Sequence, residues 1–198
     1  MFKSLFGNRR SIRRYTNKPL KRELVEELLK AAICAPSAHN RQPWRFAVLQ
    51  SSQPKHLLAR AMGDMLRSDR MSDGDRSEII ERDVSRSYSR ITQASSVVVV
   101  CLTMSDMDIY PDARRSRSEY IMAVQGTAMA AQNLLLAAHA HALGSCWMCA
   151  PLFCSDTVRK TLSLPKDWFP HALVTLGYPD EAGKVKDRRP LSDVAIWK

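Results

Sequence analysis

Ala35-Pro36-Ser37-Ala38-His39-Asn40-Arg41-Gln42-Pro43-Trp44-Arg45-Phe46 joins an amphipathic helix to a short strand and has too little apolar alternation to be either. Pro36 and Pro43 each fix a φ angle, Ser37 and Asn40 bond readily to neighbouring backbone, and the small Ala35 and Ala38 let a ligand approach the chain closely. The stretch reads as a rigid, donor-rich loop. Before it, residues 21–34 place Val25, Leu28, Leu29 and Ala32 at i, i+3, i+4, i+7, a helix that Pro36 must end. After it, residues 45–49 read as a strand and 54–66 as a second helix.

Residues 67–93 are highly charged and poor in large apolar groups, with a break at Ser72-Asp73-Gly74-Asp75 and a helical pattern from Ser77. They read as a mobile helical excursion or lid, or as a plain surface insertion. The β-branched run Val97-Val98-Val99-Val100, inside 95–102, predicts a strand buried on both faces. A turn at Tyr110-Pro111-Asp112 precedes a helix over 116–143. Its stripe of Ile121, Val124, Ala128, Ala131, Leu135 and Ala138, with small residues beside it, makes it central, packed against its own domain or a twin subunit. Gly144 stops that helix, 145–149 form a strand, 155–162 a short helix and 171–177 the last strand, with a basic tail over 184–189. This alternation argues α/β or α+β, in one domain over 1–198.

Composition narrows the function. There is no apolar run long enough to span a bilayer and no leader-type apolar region at the start, so a cytoplasmic protein without a membrane partner is expected. The five cysteines are odd in number and mostly set in apolar segments, which argues against a disulfide framework. Cys146-Trp147-Met148-Cys149 forms a CxxC, but no second pair or His cluster joins it, and no metal site is assigned. The net charge of +10 raises nucleic acid as a partner. However, residues 1–50 alone hold eleven Lys or Arg against three acids, and no nucleic-acid motif accompanies them. So tight a cluster neutralises one phosphate-bearing ligand as readily as a polynucleotide, and nucleic acid is set aside.

Four blocks carry a resemblance. They are Arg9-Arg10-Ser11-Ile12-Arg13-Arg14-Tyr15, the loop 35–46, the helix 126–143 with Gly144-Ser145-Cys146-Trp147 after it, and Leu176-Gly177-Tyr178-Pro179 followed by Lys186-Asp187-Arg188-Arg189-Pro190. In this order they resemble the nitroreductase family of flavin enzymes. Tyr110-Pro111-Asp112-Ala113-Arg114-Arg115 and Leu164-Pro165-Lys166-Asp167-Trp168 are similar to the flavin domain fused to glutamyl ligases of the deazaflavin cofactor.

The resemblance implies a three-layer α/β/α sandwich of α+β class, an intertwined homodimer, and FMN held at its interface. It implies that Arg9, Arg10, Ser11 and Arg13, with Lys186 and Arg188 of the tail, meet the FMN phosphate. Pro36, Ser37, Ala38 and Asn40 would lie along the flavin ring, and Ser87 and Arg90 would touch ring and ribityl chain. Cys149, Ala150 and Pro151 stand where the family often has a Glu-Gly pair against the flavin. The apolar Leu191, Val194, Ile196 and Trp197 suggest a tail packed across the partner subunit. The implied activity is hydride transfer from NAD(P)H through the flavin to a small acceptor such as a nitroaromatic or quinone. No catalytic side chain is assigned, because the flavin carries the chemistry. A flavin- or deazaflavin-binding module without its own NAD(P)H cycle would share every motif.

Overall fold

The computed structural model describes residues 2–198. Its centre is the valine run, in strand β2 (Ser96–Leu102), every residue of which is buried. Strand β1 (Trp44–Leu49) pairs with one edge of β2 and β4 (Phe169–Gly177) with the other, and β3 (Gly144–Met148) lies outside β4. All three pairings are antiparallel, in the order β1-β2-β4-β3. The register between β2 and β4 shifts at Val100/Cys101, opposite Pro170, a residue that has no ladder donor to offer.

Alternation along β2 divides the core in two. Val97, Val99 and Cys101 join Leu58, Met62, Ile91 and Val158, from α3 (Ser52–Ser72), α4 (Ser77–Thr92) and α6 (Ser155–Thr161). Val98 and Val100 meet Val25, Leu28, Ala131, Leu134 and Ala138, from α2 (Arg22–Ala32) and α5 (Ala113–Ala140). Helices therefore cover both faces, which is the three-layer α/β/α arrangement and the reason β2 can be apolar throughout. A short α1 (Phe2–Asn8) precedes the first arginines.

Two readings of the sequence change. The charged excursion is part of a layer: α3 runs six residues beyond the expected end, α4 packs along it with Ile80 and Val84 buried, and Ile91 joins the cluster of Leu58, Met62, Val97 and Val99. Its charge is absorbed by one pair at helical spacing and three that reach into or across the turn between α3 and α4. Arg67 bonds Asp64 and Glu81, and Arg70 bonds Asp75 and Asp83. Helix α5 also ends before Gly144. Ala142 takes the left-handed conformation, φ 56°, and the Leu143 N–H returns to the Ala138 carbonyl at 2.8 Å, a Schellman-type stop.

Gly144 has a different task. A Cβ there would lie 2.7 Å from Ile12 Cγ2, so the missing side chain lets the N-terminal arm against β3. Helix α5 is long and apolar enough, by length and composition, to cross a membrane. Here Ala123, Ala130, Ala131, Leu134 and Ala138 are fully buried, which marks it as a core helix.

Candidate cofactor site

The arm after α1 is stitched to the end of the sheet by a few backbone bonds. Ile12 N–H donates to the Ser145 carbonyl at 3.0 Å, Thr16 N–H to that of Tyr178 at 2.9 Å, and Ser11 and Tyr15 bridge Ser145 and Pro179. Ile12 and Tyr15 are its buried anchors. The Tyr15 hydroxyl lies 2.7 Å from both the Ile12 carbonyl and Thr175 Oγ1.

The chain comes back along this arm after β4. Asp180 N–H donates to the Arg14 carbonyl at 3.1 Å, and Glu181 Oε1 accepts the Arg13 N–H at 2.6 Å. Glu181 Oε2 lies 3.3 Å from Arg14 Nε. Gly183, at φ +75°, passes so close to Arg10 that a Cβ would sit 2.7 Å from the arginine's own Cβ. The basic tail is thereby delivered to the arginine cluster of its own chain.

Two adjoining clefts result. The smaller, about 140 Å³, is lined by Arg9, Arg10, Ser11, Arg13, Lys184, Lys186 and Arg188. The larger, about 520 Å³, shares Ser11, Arg13 and Lys184 and adds Arg14, Arg86, Ser89, Arg90, Gln93, Glu181 and Gly183. Arg14 is paired with Glu181 and Arg86 with Asp83. Among the described residues, Arg9, Arg10, Arg13, Arg90, Lys184, Lys186 and Arg188 form no salt bridge. Several turn their guanidinium groups to carbonyls instead, Arg10 to Gly7 and Arg9, Arg13 to Ser11, Arg188 to Lys186 and Asp187.

The electrostatics follow from this crowding. Burial, with Arg13 and Arg86 nearby, pulls Arg90 below the ordinary guanidinium value. An arginine so shifted remains charged at neutral pH. Burial raises the Cys146 thiol, although Arg13, Arg90 and Arg9 act in the opposite direction. The backbone N–H of Arg13 holds Glu181 below the usual carboxylate range. So many unpaired cations on two joined clefts are the donor set that a phosphate-bearing ligand requires.

The other residues singled out in the sequence lie elsewhere in one chain. Pro36, Ser37, Ala38 and Asn40 line neither cleft. Their loop packs near the middle of α5, where a Cβ on Gly126 would lie 3.3 Å from that of Ser37. Ser37 Oγ accepts the Gln42 N–H at 2.9 Å, which is the local bonding its residue type promised. His39, Asn40 and Gln42 all have φ near +50°, a left-handed run without glycine.

Ser87 and Ala150 face a separate hollow of about 80 Å³ with Met62, Met65 and Phe153. Cys149 is exposed and Pro151 buried, and neither lines a basic cleft. Cys146 and Cys149 are both free. Cys146 lies in a strand, not at the helix N-terminus where redox CxxC pairs operate.

Sequence reasoning missed Arg14, Arg86, Ser89, Gln93, Glu181, Gly183 and Lys184. Arg86 and Gln93 sit four before and three after Arg90, and Ser89 lies three after Arg86 and four before Gln93, helical spacings that were there to use. Nothing local marks Glu181.

The nitroreductase family model matches residues 7–178. This chain belongs to the nitroreductase family. It is 31% identical over 214 residues to an NADH dehydrogenase of Thermus thermophilus, covering 96% of this chain and 92% of that one. To a protein of Archaeoglobus fulgidus named as an NADH dehydrogenase/NAD(P)H nitroreductase it is 30% identical, over 87% and 82% of the two chains. A nitroreductase of Desulfovibrio desulfuricans, solved in complex with FMN, superposes with TM-score 0.74 at 28% identity over 98% and 95% of the chains. A BluB-like flavoprotein of Clostridium difficile shares the fold, at TM-score 0.82 over 100% and 99% of the chains and 20% identity. Membership makes the chain an oxidoreductase, and the FMN of the Desulfovibrio protein agrees with the cofactor the resemblance implied. The residues present suit that group: its phosphate needs a fork of cations with a hydroxyl beside them, as Arg9, Arg10, Arg13, Lys186, Arg188 and Ser11 provide.

Proposed function

We propose that this nitroreductase-family chain binds FMN and uses it to pass hydride from NADH or NADPH to a small organic acceptor, such as a nitroaromatic or a quinone. The observation that carries the reading is the pair of adjoining clefts lined by cations without salt-bridge partners. When bound, FMN supplies the hydride chemistry. The chain's own residues bind and tune. Arg9, Arg10, Arg13, Lys186 and Arg188 hold the phosphate, with the Ser11 hydroxyl as a further donor. Arg90, half-buried and charged, places a fixed cation in the larger cleft, where developing negative charge is stabilised without reorganisation.

The working form in this reading is a cytoplasmic homodimer of one domain per chain. The loop with Pro36, Ser37, Ala38 and Asn40 lies apart from the basic clefts of its own chain, so a partner copy is what would bring it to them. Apolar surface for such a partner is present on α5, where Tyr120, Ile121 and Met129 are exposed, and on the end of the tail, where Leu191, Val194, Ile196 and Trp197 are exposed.

The test begins with the absorbance spectrum of the purified protein, which should show bound flavin, and proceeds to oxidation of NADH and NADPH with a nitroaromatic or quinone acceptor. A flavin-bound protein that oxidises neither nucleotide would be a binding module, and a colourless protein would end the proposal. Arg9→Ala should weaken FMN binding by about 1.5–3 kcal/mol, the range for hydrogen bonds to charged groups. An unchanged affinity would remove the basic cleft as the phosphate site.

A further inference from the structure

Among the described residues, Glu181 is the one acid lining either basic cleft, and its placement there runs against the simplest electrostatics of an anion site. A carboxylate beside a phosphate pocket repels the phosphate. Its oxygens, however, face the arm and not the open cleft. One accepts the Arg13 N–H at 2.6 Å and the other meets Arg14 Nε at 3.3 Å. Two residues further on, Gly183 crosses Arg10 and Ile12 at a distance that no side chain would allow. Lys184, Lys186 and Arg188, the tail's contribution to the smaller cleft, begin immediately after this crossing. The segment lies beyond residue 178, where the family match ends.

We propose that Glu181 is a positioning residue for the cofactor phosphate: it pins the returning chain to the Arg13–Arg14 backbone, so that Gly183 can cross the arm and the tail cations close over the pocket. The inference rests on the assignment of the phosphate to this cleft. It makes the acid a net contributor to binding of an anion, because the cations it sets in place outweigh the repulsion it adds.

The sign of one substitution decides the matter. By charge alone, Glu181→Ala raises the positive potential of the pocket and tightens FMN. By positioning, it frees the tail and weakens FMN by roughly 10-fold, the loss of a hydrogen bond to a charged group. Glu181→Asp keeps the charge but shortens the reach by one methylene, so it should also weaken FMN, whereas a charge effect would leave it unchanged. FMN release from the holoprotein, followed by the return of flavin fluorescence on dilution, measures each.

In a Lys186→Ala/Arg188→Ala background the cost of Glu181→Ala should largely vanish, which a general loss of stability would not do. Tighter or equal FMN binding in Glu181→Ala overturns the inference, as does unchanged binding in Glu181→Asp if the alanine variant does not fold. A cost undiminished in the double-variant background overturns it too. If Arg13→Ala weakens FMN and the Glu181 variants do not, the phosphate site stands and only the role of Glu181 falls. If Arg13→Ala also has no effect, the phosphate assignment itself is wrong.

Discussion

His171 sits half-buried on β4 with Nε2 3.3 Å from the Tyr120 hydroxyl, and burial holds its pKa below the ordinary imidazole value of 6.5. The folded chain thus prefers this ring neutral. Below about pH 6.5 the unfolded chain takes up the proton first, so stability is full above that pH and falls as the pH drops toward the lowered folded-state value. Denaturant midpoints at pH 7.5 and 5.5 should show the loss, and His171→Gln should flatten it; an equal pH slope in that variant would refute the assignment. Single residues were the least legible scale in the sequence. Arg9, Arg10 and Arg13 carried their own signal as a cluster. Tyr15, by contrast, reads in the sequence only as the end of the arginine block, yet its hydroxyl is bonded to Thr175 from 160 positions away. Glu181 could not be found at all, because an acid at an anion site makes sense only once its backbone partners are known.

Elements were read more easily, since periodicity is a local property and β2, α2 and β4 all lie within a few residues of where it put them. The failures come from contacts between elements. Gly144 looked like a helix terminator because glycine commonly is one. The structure gives that work to Ala142 and leaves Gly144 as the gap that admits Ile12. A methyl group there would meet the β-branched Ile12 at its Cβ as well as its Cγ2, at 2.8 and 2.7 Å, and a stiff side chain cannot easily turn aside. Gly144→Ala should therefore lift the arm from β3. It should cost about 1–3 kcal/mol in stability, the usual range for overpacking, and weaken FMN retention with it. Urea denaturation and a flavin-content assay on the same preparation check both; a variant as stable as wild type would mean that the arm adjusts freely.

At the scale of the molecule, the alternation of helices and strands carried only α/β or α+β, and the three layers came from the resemblance to nitroreductases; the fully buried β2, covered on both faces, agrees with them. The separation of the loop at 36–40 from the basic clefts of its own chain was not legible, since a residue list does not say which segments the fold brings together. The tail separates two roles that the sequence merged. Its cations reach the cleft of their own chain, while Leu191, Val194, Ile196 and Trp197 beyond them stay exposed. Removing residues 190–198 should then lower the mass seen by light scattering to that of a monomer while the arginine and lysine fork remains. Removing 184–198 should abolish flavin retention as well. If the shorter truncation keeps the dimer mass, the apolar end of the tail is not the dimer contact. The arm has a second consequence. β3 is an edge strand, and the bond from Ile12 N–H occupies the Ser145 carbonyl on its open side. A sheet edge left bare is a template for other chains. Variants that loosen the arm will thus come out of a screen as insoluble protein before they come out as colourless protein, and a search for cofactor mutants by colour alone will discard the ones most informative about the site.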